Sequence, residues 1–80
     1  MIKIFIIEDD LVFGNIIVKA LNAENDYDVT LFTSGEEFLN NLHLNPNIVS
    51  IDYNLPQMNG LEILTKVNNY DKSIYTIILS

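Results

Sequence analysis

No cysteine occurs among the 80 residues, which excludes disulfides and thiolate metal sites and fits a reducing compartment. Long apolar runs are missing too. The first one, Ile4 to Ile7, is cut off by Glu8-Asp9-Asp10 before it could form the core of a secretory signal. No stretch approaches the roughly 18 apolar residues of a membrane span. These absences predict a soluble, cytoplasmic protein. Basic residues are scarce: Lys3, Lys19, Lys66 and Lys72 stand against 11 acids, for a formal net charge of −7. Phosphate-backbone contacts need clustered Lys and Arg, and these lysines are scattered, so the sequence predicts no direct nucleic-acid contact by this segment.

What remains is a chain that is 49% apolar, enough for one packed domain with a marginal core. Short apolar runs alternate with segments whose apolar residues recur at helical spacing, the pattern of a parallel sheet flanked by helices. The order reads strand, helix, strand, helix, strand, helix, strand. The first strand is Ile4-Phe5-Ile6-Ile7. Asp10 is then placed to cap a helix whose apolar face is predicted to be Val12, Phe13, Ile16, Ile17, Ala20 and Leu21. Asn25-Asp26 turn the chain into Tyr27 to Phe32, a strand with a polar face that suggests an edge. Ser34-Gly35-Glu36-Glu37 has capping-box spacing and opens a second helix with Phe38, Leu39 and Leu42 buried. Asn45-Pro46-Asn47 ends that helix before Ile48-Val49-Ser50-Ile51. A third helix begins near Asn59-Gly60 and is expected to bury Leu61, Leu64 and Val67, with Ile63 at its margin. Ser73 to Ser80 completes the pattern as a β-prone strand. An apolar parallel strand normally lies between two others, and no element follows to cover its outer edge. The sequence therefore predicts that these residues are part of a larger domain.

Two of the apolar strands end in acids: Glu8-Asp9-Asp10 after the first, Asp52 after the third. Right-handed crossovers place those strands side by side in a doubly wound sheet, so the acids are expected to meet at its carboxyl end, where such folds carry their chemistry. Two carboxylates about 5 Å apart repel by roughly 3 kcal/mol at an effective dielectric near 20. Convergence of three is destabilising unless a cation joins them. An all-oxygen set with open positions favours Mg²⁺.

Glu8-Asp9, Asp52, Leu55-Pro56 three and four residues later, Gly60 eight residues later and Ser80 at the end of the fourth strand together resemble the receiver domain of two-component response regulators. The resemblance covers Met1 to Ser80, which would be the N-terminal two thirds of such a domain. It implies a flavodoxin-like doubly wound α/β parallel sheet, incomplete, with strand order 2-1-3-4 and three helices. It also implies that Asp52 accepts a phosphoryl group from a sensor histidine kinase or phosphotransfer protein. Asp9 and Asp52 would ligate Mg²⁺ directly, the backbone carbonyl of Asn54 would complete the protein's ligands, and Glu8 would act through water. Ser80 would hydrogen-bond a phosphoryl oxygen. In the family a lysine at the end of a fifth strand and a nearby aromatic complete the switch, and this chain stops before both. The expectation is a recognisable phosphoacceptor site impaired by truncation, binding Mg²⁺ weakly and phosphorylating poorly or not at all.

Two other functions compete with that one. Aspartate-nucleophile phosphohydrolases also end a strand in a phosphorylated Asp, but they resemble Asp-x-Asp there, and Asn54 cannot move a proton as a second carboxyl would. A vestigial interaction fragment is the third reading. Its apolar strand edge, Ile74 to Leu79, predicts a homodimer through the exposed edge or faces of the sheet. Among single residues, Asp10 is a helix cap rather than a ligand, and His43 lacks any partner for a metal site. Gly60 marks a close backbone approach, Pro56 stiffens the loop after Asp52, and Met58 covers that loop.

Overall fold

The computed structural model describes residues 1–24 and 26–79. Its elements are β1 (Ile2–Ile7), α1 (Leu11–Asn22), β2 (Tyr27–Phe32), α2 (Gly35–Asn40), a 3-10 turn over Leu42–Leu44, β3 (Ile48–Asp52), α3 (Gly60–Tyr70) and β4 (Tyr75–Leu79). The strands pair in parallel in the order β2-β1-β3-β4, the arrangement expected of a doubly wound sheet. Ile7 stands opposite both Phe32 and Ile51, and Asp52 opposite Leu79.

Each helix starts on a side-chain cap. Asp10 Oδ1 accepts from Val12 N and Phe13 N at 3.0 and 3.2 Å, Ser34 Oγ from Glu37 N at 3.1 Å, and Asn59 Oδ1 from Glu62 N at 2.9 Å. These bonds satisfy donors that the first helical turn leaves unpaired. At Ser34 it is the serine half of the expected capping box that forms.

One face of the sheet is closed by α2 and α3. Phe5, Ile7, Val49 and Ile51 from the strands meet Phe38, Leu42, Ile63 and Val67 there, all buried. The rings of Phe5, Phe32 and Phe38 pack edge to face, with centroids 4.9 to 6.2 Å apart, the arrangement that ring quadrupoles favour. The third helix turns further than its spacing suggests, burying Ile63 and Val67 while Leu61 stays exposed.

The first helix departs more from expectation. Its fully buried residue is Gly14, with Ile17, Val18 and Leu21 half-buried, while Val12, Phe13, Ile16 and Ala20 are exposed. A Cβ at Gly14 would lie 2.9 Å from Leu31 Cδ1, so the missing side chain lets the helix settle onto β2. That choice rotates the larger apolar residues outward. Gly14 carries no hydrophobic signal, and its neighbours do.

Candidate functional site

The site is built from strand ends. β1 and β3 are adjacent with Ile7 beside Ile51, so the residues that follow, Glu8 and Asp52, emerge together at the carboxyl edge. Backbone bonds fix where each chain leaves the sheet. Glu8 N donates to Phe32 O at 2.9 Å, and Tyr53 N donates to Leu79 O at 2.8 Å. Neither anchor is legible in the sequence, because both use only main-chain atoms.

Glu8, Asp9 and Asp52 each bring one carboxylate oxygen to within 4.8 Å of the others. Glu8 is buried at 8% exposure, Asp52 is half-buried and Asp9 is open to solvent. Glu8 Oε2 accepts from Asp10 N at 3.2 Å, and Asp52 Oδ1 accepts from Asn54 N at 3.0 Å. Asp10 turns away to cap α1. Asn54 is exposed in the turn after β3. Ser80 lies outside the described residues. His43 is exposed on the 3-10 turn, away from these acids.

Burial raises the Glu8 carboxyl above its ordinary 4.5, against the lowering effect of the Asp10 N–H; the neighbouring Asp52 and then Asp9 raise it further. Two oxygens on one octahedral Mg²⁺ sit roughly 2.9 to 4.2 Å apart, from a metal–oxygen distance of about 2.1 Å. Three carboxylates within 4.8 Å therefore need only a small contraction, or one intervening water, to suit that ion. The donors are all hard oxygens, which matches its chemistry.

Gly60 belongs to the same construction. Its N–H donates to Tyr53 O at 3.2 Å, and a Cβ there would lie 3.0 Å from Tyr53 Cα and 3.4 Å from Asp52 O. Glycine thus allows α3 to start against the backbone that carries Asp52. Leu55 is buried beneath the loop at 7% exposure, and Met58 packs on the core.

The sequence profile of the response regulator receiver domain matches residues 4–80. The sensory transduction protein LytT of Oceanobacillus iheyensis is 32% identical over 80 residues, spanning 95% of this chain and 32% of that protein. A protein-glutamate methylesterase/protein-glutamine glutaminase of Paramagnetospirillum magneticum is 34% identical over 68 residues, spanning 82% of this chain and 19% of its own. Among solved structures, the BeF3-activated DrrB receiver domain superposes with a TM-score of 0.89 at 28% identity, covering all of this chain and 68% of that one. The 80 residues thus span less than a third of either relative and about two thirds of the matched receiver structure. This chain belongs to the response regulator receiver domain family, the phosphoacceptor modules of two-component signalling.

Proposed function

We propose that Asp52 is the phosphoacceptor of this chain and that Asp9, Asp52 and the backbone carbonyl of Asn54 hold Mg²⁺, with Glu8 acting through water. The observation that carries the reading is the meeting of the Glu8, Asp9 and Asp52 carboxylates within 4.8 Å at the carboxyl end of adjacent parallel strands. When bound, Mg²⁺ supplies positive charge that lets a carboxylate approach an anionic phosphoryl group and that stabilises the oxygens in transfer. One Asp52 oxygen is oriented by the Asn54 N–H. The other attacks phosphorus as the donor's phosphorus–nitrogen bond breaks, and the electron pair leaves on the histidine ring, which takes up a proton. Ser80, next in sequence after β4, is assigned the hydrogen bond to a phosphoryl oxygen. The chain gives up no product to solvent in this step. It is not an enzyme in the ordinary sense, and the likeness to the methylesterase spans only 19% of that protein.

The partner on this reading is a sensor histidine kinase or phosphotransfer protein, acting in the cytoplasm. Among the described residues no helix is long and apolar enough to cross a membrane. Among the described residues β4 is an outer strand, uncharged from Tyr75 to Leu79, which supports pairing with a second copy.

Acetyl phosphate with Mg²⁺, followed by intact mass, tests the phosphoacceptor assignment. Slow, Mg²⁺-dependent addition of one phosphoryl group is expected, with none on Asp52→Asn. Addition that survives Asp52→Asn, or none on the wild-type chain, overturns it.

A further inference from the structure

Of the asparagines in this chain, Asn59 alone is followed by glycine. Such a pair carries its own chemistry: the backbone nitrogen of the glycine can attack the asparagine side-chain Cγ, and glycine has no side chain to hinder the approach. The nitrogen gives its proton to a solvent base as the N–Cγ bond forms. Ammonia then leaves Cγ with the bonding electron pair and a proton, and a five-membered cyclic imide remains. Water opens the ring. Cleavage of its N–Cγ bond leaves aspartate at 59, whereas cleavage of its bond to the main-chain carbonyl leaves isoaspartate, with the chain routed through Cβ and Cγ.

The fold holds the two reacting atoms apart. Asn59 caps α3, and its Oδ1 accepts from Glu62 N at 2.9 Å, which turns the side chain toward the helix. The nucleophile, Gly60 N, has its proton engaged with Tyr53 O at 3.2 Å. Ring closure also needs Asn59 Cβ and Gly60 N nearly eclipsed about the Cα–C bond, and a ψ of 160° at Asn59 keeps them well separated. Reaction therefore requires the first turn of α3 to lift from the loop after Asp52. A cap and a backbone hydrogen bond together hold that opening to about one chain in thirty. Asn59 is exposed, so water has access to the imide.

We infer that Asn59-Gly60 is a site of spontaneous modification gated by the fold, converting only when α3 detaches from the strand that carries Asp52. The two products differ in consequence. Aspartate keeps an acceptor at the cap position and suits the positive end of α3. Isoaspartate lengthens the main chain by a methylene where there is no room, since a Cβ at Gly60 would already lie 3.0 Å from Tyr53 Cα and 3.4 Å from Asp52 O. It props α3 permanently away from the backbone of Asp52. No phosphoryl donor or metal enters the reaction, so the inference stands apart from the phosphoacceptor reading.

The experiment incubates the chain without metal at mildly alkaline pH, in buffer and in unfolding urea, and follows it by peptide mapping that separates aspartyl from isoaspartyl products. Asn59 should convert ahead of every other asparagine in both conditions, and about thirtyfold more slowly in buffer. Hydrogen exchange of the Gly60 amide at the same pH should give a protection factor of similar size, because one opening exposes both reactions. In the purified isoaspartyl chain that amide should exchange at nearly the unprotected rate. Asn59→Asp, which stands for the other product, should keep the wild-type protection within about threefold. Equal conversion in buffer and urea, earlier conversion at another asparagine, or Gly60 protection far from the conversion ratio overturns the inference. An isoaspartyl chain with wild-type Gly60 protection overturns the effect assigned to that product.

Discussion

The two faces of the sheet use similar residues to different effect. On the face covered by α2 and α3, Phe5, Val49, Ile51, Phe38, Ile63 and Val67 are all at or below 2% exposure, and three aromatic rings lock together. On the other face α1 covers β2 and part of β1, leaving a hollow of about 320 Å³ lined by Ile4, Ile48, Ser50, Ile77 and Leu79 among others. Alternation along the strands supplies apolar side chains to both faces. What separates the faces is the helix over each: α3 presents the fully buried Ile63 and Val67 to the sheet, whereas α1 presents Gly14 with Ile17 and Leu21 only half-buried. The closed face packs beneath the backbone that carries Asp52.

The largest expected contrast is between truncations on the two faces. Phe38→Ala should cost about 3–5 kcal/mol in urea unfolding, and Ile77→Ala, at 41% exposure, less than about 1 kcal/mol. Equal losses would abolish the distinction. The glycines give a sharper and smaller test. At Gly60 an added methyl meets Tyr53 Cα and Asp52 O, which are backbone, so Gly60→Ala should cost about 1–3 kcal/mol and weaken Mg²⁺ binding. At Gly14 it meets the ends of the Leu31 side chain, which can turn, and alanine favours the helix. Gly14→Ala should fall within about 0.5 kcal/mol of wild type.

The smallest effect is in pH dependence, and it concerns the edge where both faces meet the acids. The folded-state pKa of Glu8 lies above its ordinary 4.5, so the native state holds that proton more tightly than the unfolded chain. Without Mg²⁺, the Glu8 contribution should lower stability as pH rises from 4.5 through the raised folded value. Asp71 acts in the opposite sense. Its carboxylate accepts from Ser73 Oγ and N, which hold it below 3.8, and its contribution is present above that value and lost as pH falls through the lower one. Melting curves of wild type and Glu8→Gln between pH 4.5 and 7 separate the two, since only wild type should lose stability on the Glu8 account. Mg²⁺ should reverse that loss. Parallel curves for the two proteins would show that burial and the neighbouring acids do not raise the Glu8 carboxyl.

Much of this architecture is written in local pattern. The alternation of apolar runs with helical spacing gives every strand and α-helix, although α2 ends at Asn40 and Leu42, expected on its buried stripe, lies on a separate 3-10 turn; Asp10 and Ser34 announce helix starts, and acids at the ends of Ile4–Ile7 and Ile48–Ile51 converge once those strands are neighbours. The orientation of α1 was not legible, because hydropathy weighs what a residue has and Gly14 acts through what it lacks. Leu61 misled for a related reason: spacing defines a stripe, while the angle at which α3 leaves the loop at Gly60 decides which edge of that stripe is covered. The main-chain anchors at Phe32 and Leu79 leave no trace in residue type at all.

Those anchors tie the two sides of the acidic cluster to opposite margins of the sheet. Glu8 hangs from the last carbonyl of β2, and the peptide after Asp52 hangs from the last carbonyl of β4. A tug on either outermost strand is thus felt as a change in the gap between carboxylates, and whatever is clasped in that gap braces both margins in return.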